Sequence, residues 1–188
     1  MEVYHTTDKV YQKGQVVCVS DFEDGLSLYH VNVGNNQCVN DYLDKDRPCE
    51  FPERKRAIYT FRLIKHCLIF GRKKHIYKAD IPETIGHPMC LTEAFTSDSN
   101  EPNNIKRLIR GEYWTPKRDW KFYEYLSTSM TIIEECKGPF GKAFTDQNDY
   151  YDDHDYFRKY YIRDLKKAQL KLCQSSNPLY LTSLDDTI

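Results

Sequence analysis

Apolar positions along the chain change period several times, and each change marks an element. Glu2–Thr7 carries Val3, Tyr4 and Thr6 and predicts a short strand, and Gly14-Gln15-Val16-Val17-Cys18-Val19 predicts another. Between Gly25 and Asn40 the pattern is loop-like, with Gly34-Asn35-Asn36 as a turn. Asn40–Lys45 then predicts one or two helical turns, stopped at Arg47-Pro48. Ala57–Phe61 predicts a strand. Leu63, Ile64, Cys67, Leu68 and Phe70 fall at helical spacing, with Gly71 where a helix-terminating glycine belongs. Lys74–Ile81 alternates polar and apolar residues, as a half-buried strand does, and Pro82 ends it. Glu101–Tyr113 predicts a helix with Pro102 in its first turn. Tyr123–Leu126 and Met130–Glu134 predict strands on either side of Ser127-Thr128-Ser129. Asp149–Cys173 predicts a long helix whose broad face carries Tyr156, Phe157, Tyr160, Tyr161 and Leu165. The sum is an α+β chain, with one domain over 1–175 and a loose tail over 176–188.

A chain of 188 residues is long enough to bury a core. Its formal net charge of -1 forces neither a nucleic-acid nor a membrane partner. The N-terminal residues lack a basic segment followed by an apolar one, and no apolar run is long enough to span a bilayer, so a cytoplasmic protein is expected. The seven cysteines are scattered and form no C-x-x-C pair, which argues against structural zinc and a disulfide framework.

Three polar residues on predicted strands stand out. Alone, each has a bland reading: His5 as a solvated or core-satisfied histidine, Tyr59 as packing, Glu124 as a solvated charge. Together they follow an order. His5-Thr6 ends a strand, Ile58-Tyr59-Thr60-Phe61 leads into a helix, and Glu124-Tyr125-Leu126 opens a strand that turns through Ser127-Thr128-Ser129 and returns. In this order the chain resembles the ADP-ribosyltransferase superfamily, in the His-Tyr-Glu branch that includes poly-ADP-ribose polymerases, diphtheria toxin and rifampicin-modifying transferases. The opening Met1–Thr7 is also similar to phage anti-CRISPR ADP-ribosyltransferases. The resemblance covers roughly residues 2–7, 57–82 and 121–135. Thr6 stands where many members carry glycine, and Phe70 where several carry tyrosine.

The resemblance implies a split β-sandwich with flanking helices. It also implies mono-ADP-ribosyl transfer from NAD⁺ to a macromolecule, with release of nicotinamide and without a metal. His5 would bind a ribose hydroxyl, Thr6 backbone groups would fix the carboxamide, and Tyr59 with Phe70 would flank the nicotinamide ring. Cys67 would hold the small polar position on the helix. Glu124 would stabilise the positive charge that develops on the ribose as the glycosidic bond opens. Arg47, Arg54 and Arg56, with Lys55, would meet the pyrophosphate or else form an exposed basic turn. The implied setting is a bacterial or phage toxin, defence or counter-defence protein acting on a protein or nucleic-acid acceptor, with an antitoxin or immunity protein as a further partner. NAD⁺ hydrolysis and a non-catalytic nucleotide- or nucleic-acid-binding module are the competing readings.

Two other stretches mix chemistry-bearing side chains. Asp152-Asp153-His154-Asp155 cannot converge on one ion from a helix, and reads as a solvated acidic helix start. Arg107, Arg110, Tyr113, Trp114, Lys117, Arg118 and Trp120 either contact an acceptor or pack their rings inward and keep their cations wet.

Overall fold

The computed structural model describes residues 1–22, 34–69, 74–96, 99–138 and 148–175. Its strands are β1 (Glu2–Thr7), β2 (Val16–Cys18), β3 (Ile58–Thr60), β4 (His75–Asp80), β5 (His87–Pro88), β6 (Tyr123–Ser127) and β7 (Ser129–Glu135). The helices are α1 (Gly34–Asp44), α2 (Ile64–Ile69), α3 (Asn103–Trp114), α4 (Asn148–Tyr156) and α5 (Ile162–Ser175). A π-helical turn, Phe157–Tyr161, joins α4 to α5, and a 3-10 segment, Met89–Phe95, follows β5.

The strands form two antiparallel sheets. The first has the order β1-β4-β7-β2 and the second β3-β6-β5. Their edge strands meet at one bridge: Tyr4 N–H donates to the Phe61 carbonyl at 2.7 Å, and Phe61 N–H donates to the Tyr4 carbonyl at 2.9 Å. The α+β expectation holds, with two antiparallel sheets flanked by helices.

Three apolar clusters hold this frame. Val3, Tyr77, Ala79, Met130 and Ile132 of the first sheet pack with Ile58 of the second, and half-buried Tyr125 covers them. On the other face of the second sheet, Leu126 packs with Val39 and Leu43 of α1 and Ile105, Ile109, Tyr113 and Trp114 of α3. The buried positions of α3 recur at three- and four-residue spacing, so one stripe of the helix faces that sheet. Phe61, Cys67, Ile76, Met89 and Phe122 form the third cluster beneath α2.

The short strand β5 depends on one glycine. A Cβ at Gly86 would lie 2.8 Å from Tyr123 Cβ, so the bare backbone is what lets β5 reach β6. Gly14, with φ 78°, turns the chain before β2 starts.

Several expectations need correction. Gly34-Asn35-Asn36 is not a turn but the start of α1, because Val39 and Leu43 farther along that helix are buried and tertiary packing outweighs local turn preference. The long C-terminal helix is interrupted by the π turn, where Phe157 and Tyr161 are buried. The acidic run 152–155 is not uniformly solvated: Asp153 and His154 are buried while Asp152 and Asp155 are exposed. Phe70, Gly71, most of the 25–40 loop and the 176–188 tail lie outside the described residues.

Candidate functional site

The site is built where the edges of the two sheets meet. Tyr4 spends its N–H and C=O on Phe61 of the second sheet. Backbone direction alternates along a strand, so Thr6, two residues on, projects its N–H and C=O from the same edge. Its partner across β4 is Ile76, whose carbonyl accepts from Cys136 N–H at 2.8 Å on the opposite side. Among the described residues no backbone group beyond the β1–β4 ladder answers Thr6. Its hydroxyl leans away, onto the His75 carbonyl at 3.4 Å.

His5 stands beside this edge. Its Nδ1 lies 3.0 Å from the Tyr59 carbonyl, and a carbonyl can only accept, so Nδ1 carries the proton and Nε2 is left as an acceptor. Burial holds the ring below the ordinary histidine range, partly opposed by that hydrogen bond, so the neutral form prevails near pH 7. Tyr59 is half-buried. Its hydroxyl donates to the Arg54 carbonyl at 2.7 Å, which fixes the ring against the second sheet.

Glu124 lies on the same face as Tyr59. Tyr59 pairs with Leu126 in register, and Glu124 is two residues before Leu126, so the two are diagonal neighbours about 7–8 Å apart. The carboxylate is buried, with 1% relative exposure. Its Oε1 accepts from Arg54 Nη1 and from the Tyr113 hydroxyl, the latter at 2.7 Å. Its Oε2 is buried and has no hydrogen-bond partner among the described residues.

Arg54 is the hub of this network and is fully buried. Its Nε donates to Asn40 Oδ1 at 2.9 Å, its backbone N–H to Asp44 Oδ1 at 3.0 Å, and its Nη1 also reaches the Tyr113 hydroxyl. The guanidinium sits over the rings of Tyr59 and Tyr113, 5.2 and 5.0 Å from their centroids. Burial pushes the Tyr113 phenol well above its ordinary range, so it stays a donor. His87 pairs directly with Glu124 across β5 and β6 and stacks on Tyr113 at 5.0 Å. Its Nδ1 donates to the Tyr113 carbonyl at 3.1 Å, its Nε2 is buried without a partner among the described residues, and burial lowers its pKa to about 4.

The other residues singled out from sequence fall elsewhere. Cys67 is fully buried in the third apolar cluster, and burial pushes its thiol far up, so it fills the core. Arg47 donates through Nη1 to the Pro48 and Phe51 carbonyls and staples its own turn. Arg56 is open to solvent with a long contact to Glu53, whereas Arg54 belongs to the carboxylate and not to a basic surface turn. Trp114, Trp120 and Tyr113 are buried, while Arg107, Lys117 and Arg118 stay exposed, so the 107–120 stretch packs its rings inward. Arg110 is half-buried and pairs with Asp46.

Sequence reading missed Asn40, Tyr113 and His87 as members of the network. Nothing local marks them, since each reaches Arg54 or Glu124 only through tertiary packing. Among the described residues no group of three His, Cys, Asp or Glu side chains converges as a metal site, and no helix is long and apolar enough to cross a membrane. No protein-family model matches the chain, and no curated protein matches its sequence.

Proposed function

We propose that the chain is a mono-ADP-ribosyltransferase that takes NAD⁺ at the junction of the two sheets and passes ADP-ribose to a macromolecular acceptor. The observation that carries this reading is the outward-facing backbone of Thr6 beside the fixed ring of His5. One edge of a primary carboxamide presents an acceptor and a donor, the complement of the N–H and C=O that Thr6 projects from the strand edge. His5 Nε2 is an acceptor suited to a ribose hydroxyl, and Tyr59 offers a ring anchored by its own hydroxyl. Glu124, held on the same sheet face, would supply negative charge as the bond between ribose and nicotinamide breaks. The arrangement of two sheets meeting at the strands of His5 and Tyr59 supports a split β-sandwich of the ADP-ribosyltransferase kind. With Arg54 buried, Arg56 is the exposed arginine of the basic segment and the stronger candidate for the pyrophosphate.

The test is incubation of the purified chain with NAD⁺ labelled in its adenine half, alone and with cell lysate. Free nicotinamide and label on protein, DNA or RNA are measured separately. The reading requires nicotinamide release that Glu124→Gln lowers at least about 100-fold. Release without transfer to any acceptor identifies an NAD⁺ hydrolase. Absence of release at millimolar NAD⁺ overturns the enzymatic reading.

A further inference from the structure

The carboxylate of Glu124 is held asymmetrically. Oε1 receives both the Arg54 guanidinium and the Tyr113 hydroxyl, while Oε2 has no partner among the described residues. Two donors on one oxygen fix the plane and tilt of a carboxylate that a single charge contact would leave free to rotate. We propose that Tyr113 is a positioning residue for Glu124: with Arg54 it immobilises Oε1 and so holds the negative charge of the carboxylate in one place and orientation. This rests on the transferase reading above.

The surroundings of Tyr113 suit that task. The residue is fully buried at the C-terminal end of α3, its ring stacks on His87 at 5.0 Å and meets Trp114 edge-on at 5.0 Å, and Arg54 sits over the ring. A phenol clamped in this way delivers its proton to one point. Burial keeps it protonated, so the hydroxyl does not compete with Glu124 for the charge of Arg54. Because Tyr113 comes from α3 and Arg54 from the segment before β3, the carboxylate on β6 is braced from two separate elements. Catalysis that depends on aim is sensitive to small displacements, so loss of one brace is expected in turnover and not in substrate affinity.

The experiment is steady-state nicotinamide release by the full chain carrying Tyr113→Phe, Glu124→Gln and both together. Tyr113→Phe removes one oxygen and keeps the ring, and its melting temperature is recorded beside its kinetics. The expected result is a kcat lowered about 10-fold with KM for NAD⁺ within about twofold, the size of one lost hydrogen bond to a charged group. In the Glu124→Gln background, Tyr113→Phe is expected to lower the residual rate by less than about twofold, because a residue acting through Glu124 has nothing left to position. A full further 10-fold drop in that background, or wild-type kcat for Tyr113→Phe, overturns the proposal while leaving the transferase reading intact. Wild-type turnover by Glu124→Gln overturns the transferase reading itself. If Tyr113→Phe fails to fold, Glu124→Asp decides, because the shorter side chain keeps its charge but withdraws from Tyr113. A kcat equal to wild type in that variant overturns the proposal, and a loss of about 10-fold at unchanged KM supports it.

Discussion

The imidazole of His5 and the carbonyl of Tyr59 lie 3.0 Å apart, and this contact ties β1 to β3 where the two sheets meet. It turns a residue with two possible tautomers into one with a fixed acceptor. The strand pairing behind it, Tyr4 with Phe61, sets the distance, so the orientation of His5 is a consequence of how the sheets join.

A pH dependence follows from this relationship. Burial holds the His5 ring below the ordinary value of 6.5, so it stays neutral as pH falls through that value. Protonation would place an N–H where a ribose hydroxyl must donate. NAD⁺ affinity is therefore expected to be level from pH 8 to about 6.5 and to weaken only below it, the region set by the unperturbed histidine pKa. Isothermal titration of Glu124→Gln with NAD⁺ across this range checks the point without turnover. A loss of affinity centred above pH 6.5 would rule His5 out as its source.

The buried Arg54–Glu124 pair makes a separate prediction about stability. Both side chains are at most 1% exposed, and each compensates the other's desolvation. Glu124→Leu or Arg54→Met alone strands a charge in an apolar setting, at an expected cost of about 3–5 kcal/mol. The double variant removes both charges and is expected to recover most of that loss. Urea unfolding of the three variants measures it. A double variant as unstable as the sum of the singles would show that the pair matters through its other contacts, to Asn40 and Tyr113.

His87 carries a second pH effect, with a definite sign. Its folded pKa of about 4 lies below the unfolded value of 6.5, so the unfolded chain takes up a proton before the folded one. Its contribution is fully present above pH 6.5 and is lost as pH falls toward 4. A shift of this size corresponds to about 3 kcal/mol. His87→Phe keeps a ring among Phe51, Tyr113 and Trp114 and cannot titrate. Its stability between pH 7 and pH 4.5 is expected to fall less than that of wild type by about 2–3 kcal/mol, read from denaturant midpoints. Parallel curves for the two proteins would place the sensitivity elsewhere.

The strands other than β5 were legible because they rest on local pattern. The alternation of Lys74–Ile81 and the apolar spacing from Leu63 each describe a segment that repeats its own signal. Partners of Glu124 were not legible. Arg54 lies 70 residues away in the chain, and its burial depends on Asn40, Asp44, Tyr113 and Glu124 all arriving together. A sequence shows Arg54 only as one of several adjacent cations, beside Lys55 and Arg56, and Glu124 alone reads as an ordinary solvated charge. The strand β5 escaped for a related reason: two residues hold no periodicity, and its place depends on Gly86 clearing Tyr123.

The acidic run 152–155 supplies the sharpest contrast between neighbours of the same type. Asp153 and Asp152 are adjacent, yet they face different media. Asp153 is buried, and its Oδ2 accepts the backbone N–H groups of Lys121 and Phe122 at 2.9 and 2.8 Å. Burial raises its pKa, and the two backbone bonds oppose that shift without cancelling it. These bonds tie α4 to the segment that enters β6, immediately before Glu124. Asp152 is exposed and pairs with Lys121 Nζ at 2.6 Å, a surface contact with both side chains more than half open to solvent. Asp153→Ala leaves two backbone donors short of their acceptor, the buried one at Phe122 above all, and is expected to cost about 2–4 kcal/mol. Asp152→Ala is expected to cost less than about 1 kcal/mol. Asp153→Asn retains an acceptor oxygen and should fall between them. Thermal unfolding of the three variants orders them, and nicotinamide release measured well below each midpoint tests whether the tie to β6 also reaches Glu124. If Asp152→Ala proves as damaging as Asp153→Ala, the helix start acts through its total charge, and the capping of Lys121 and Phe122 is not what holds β6 in place.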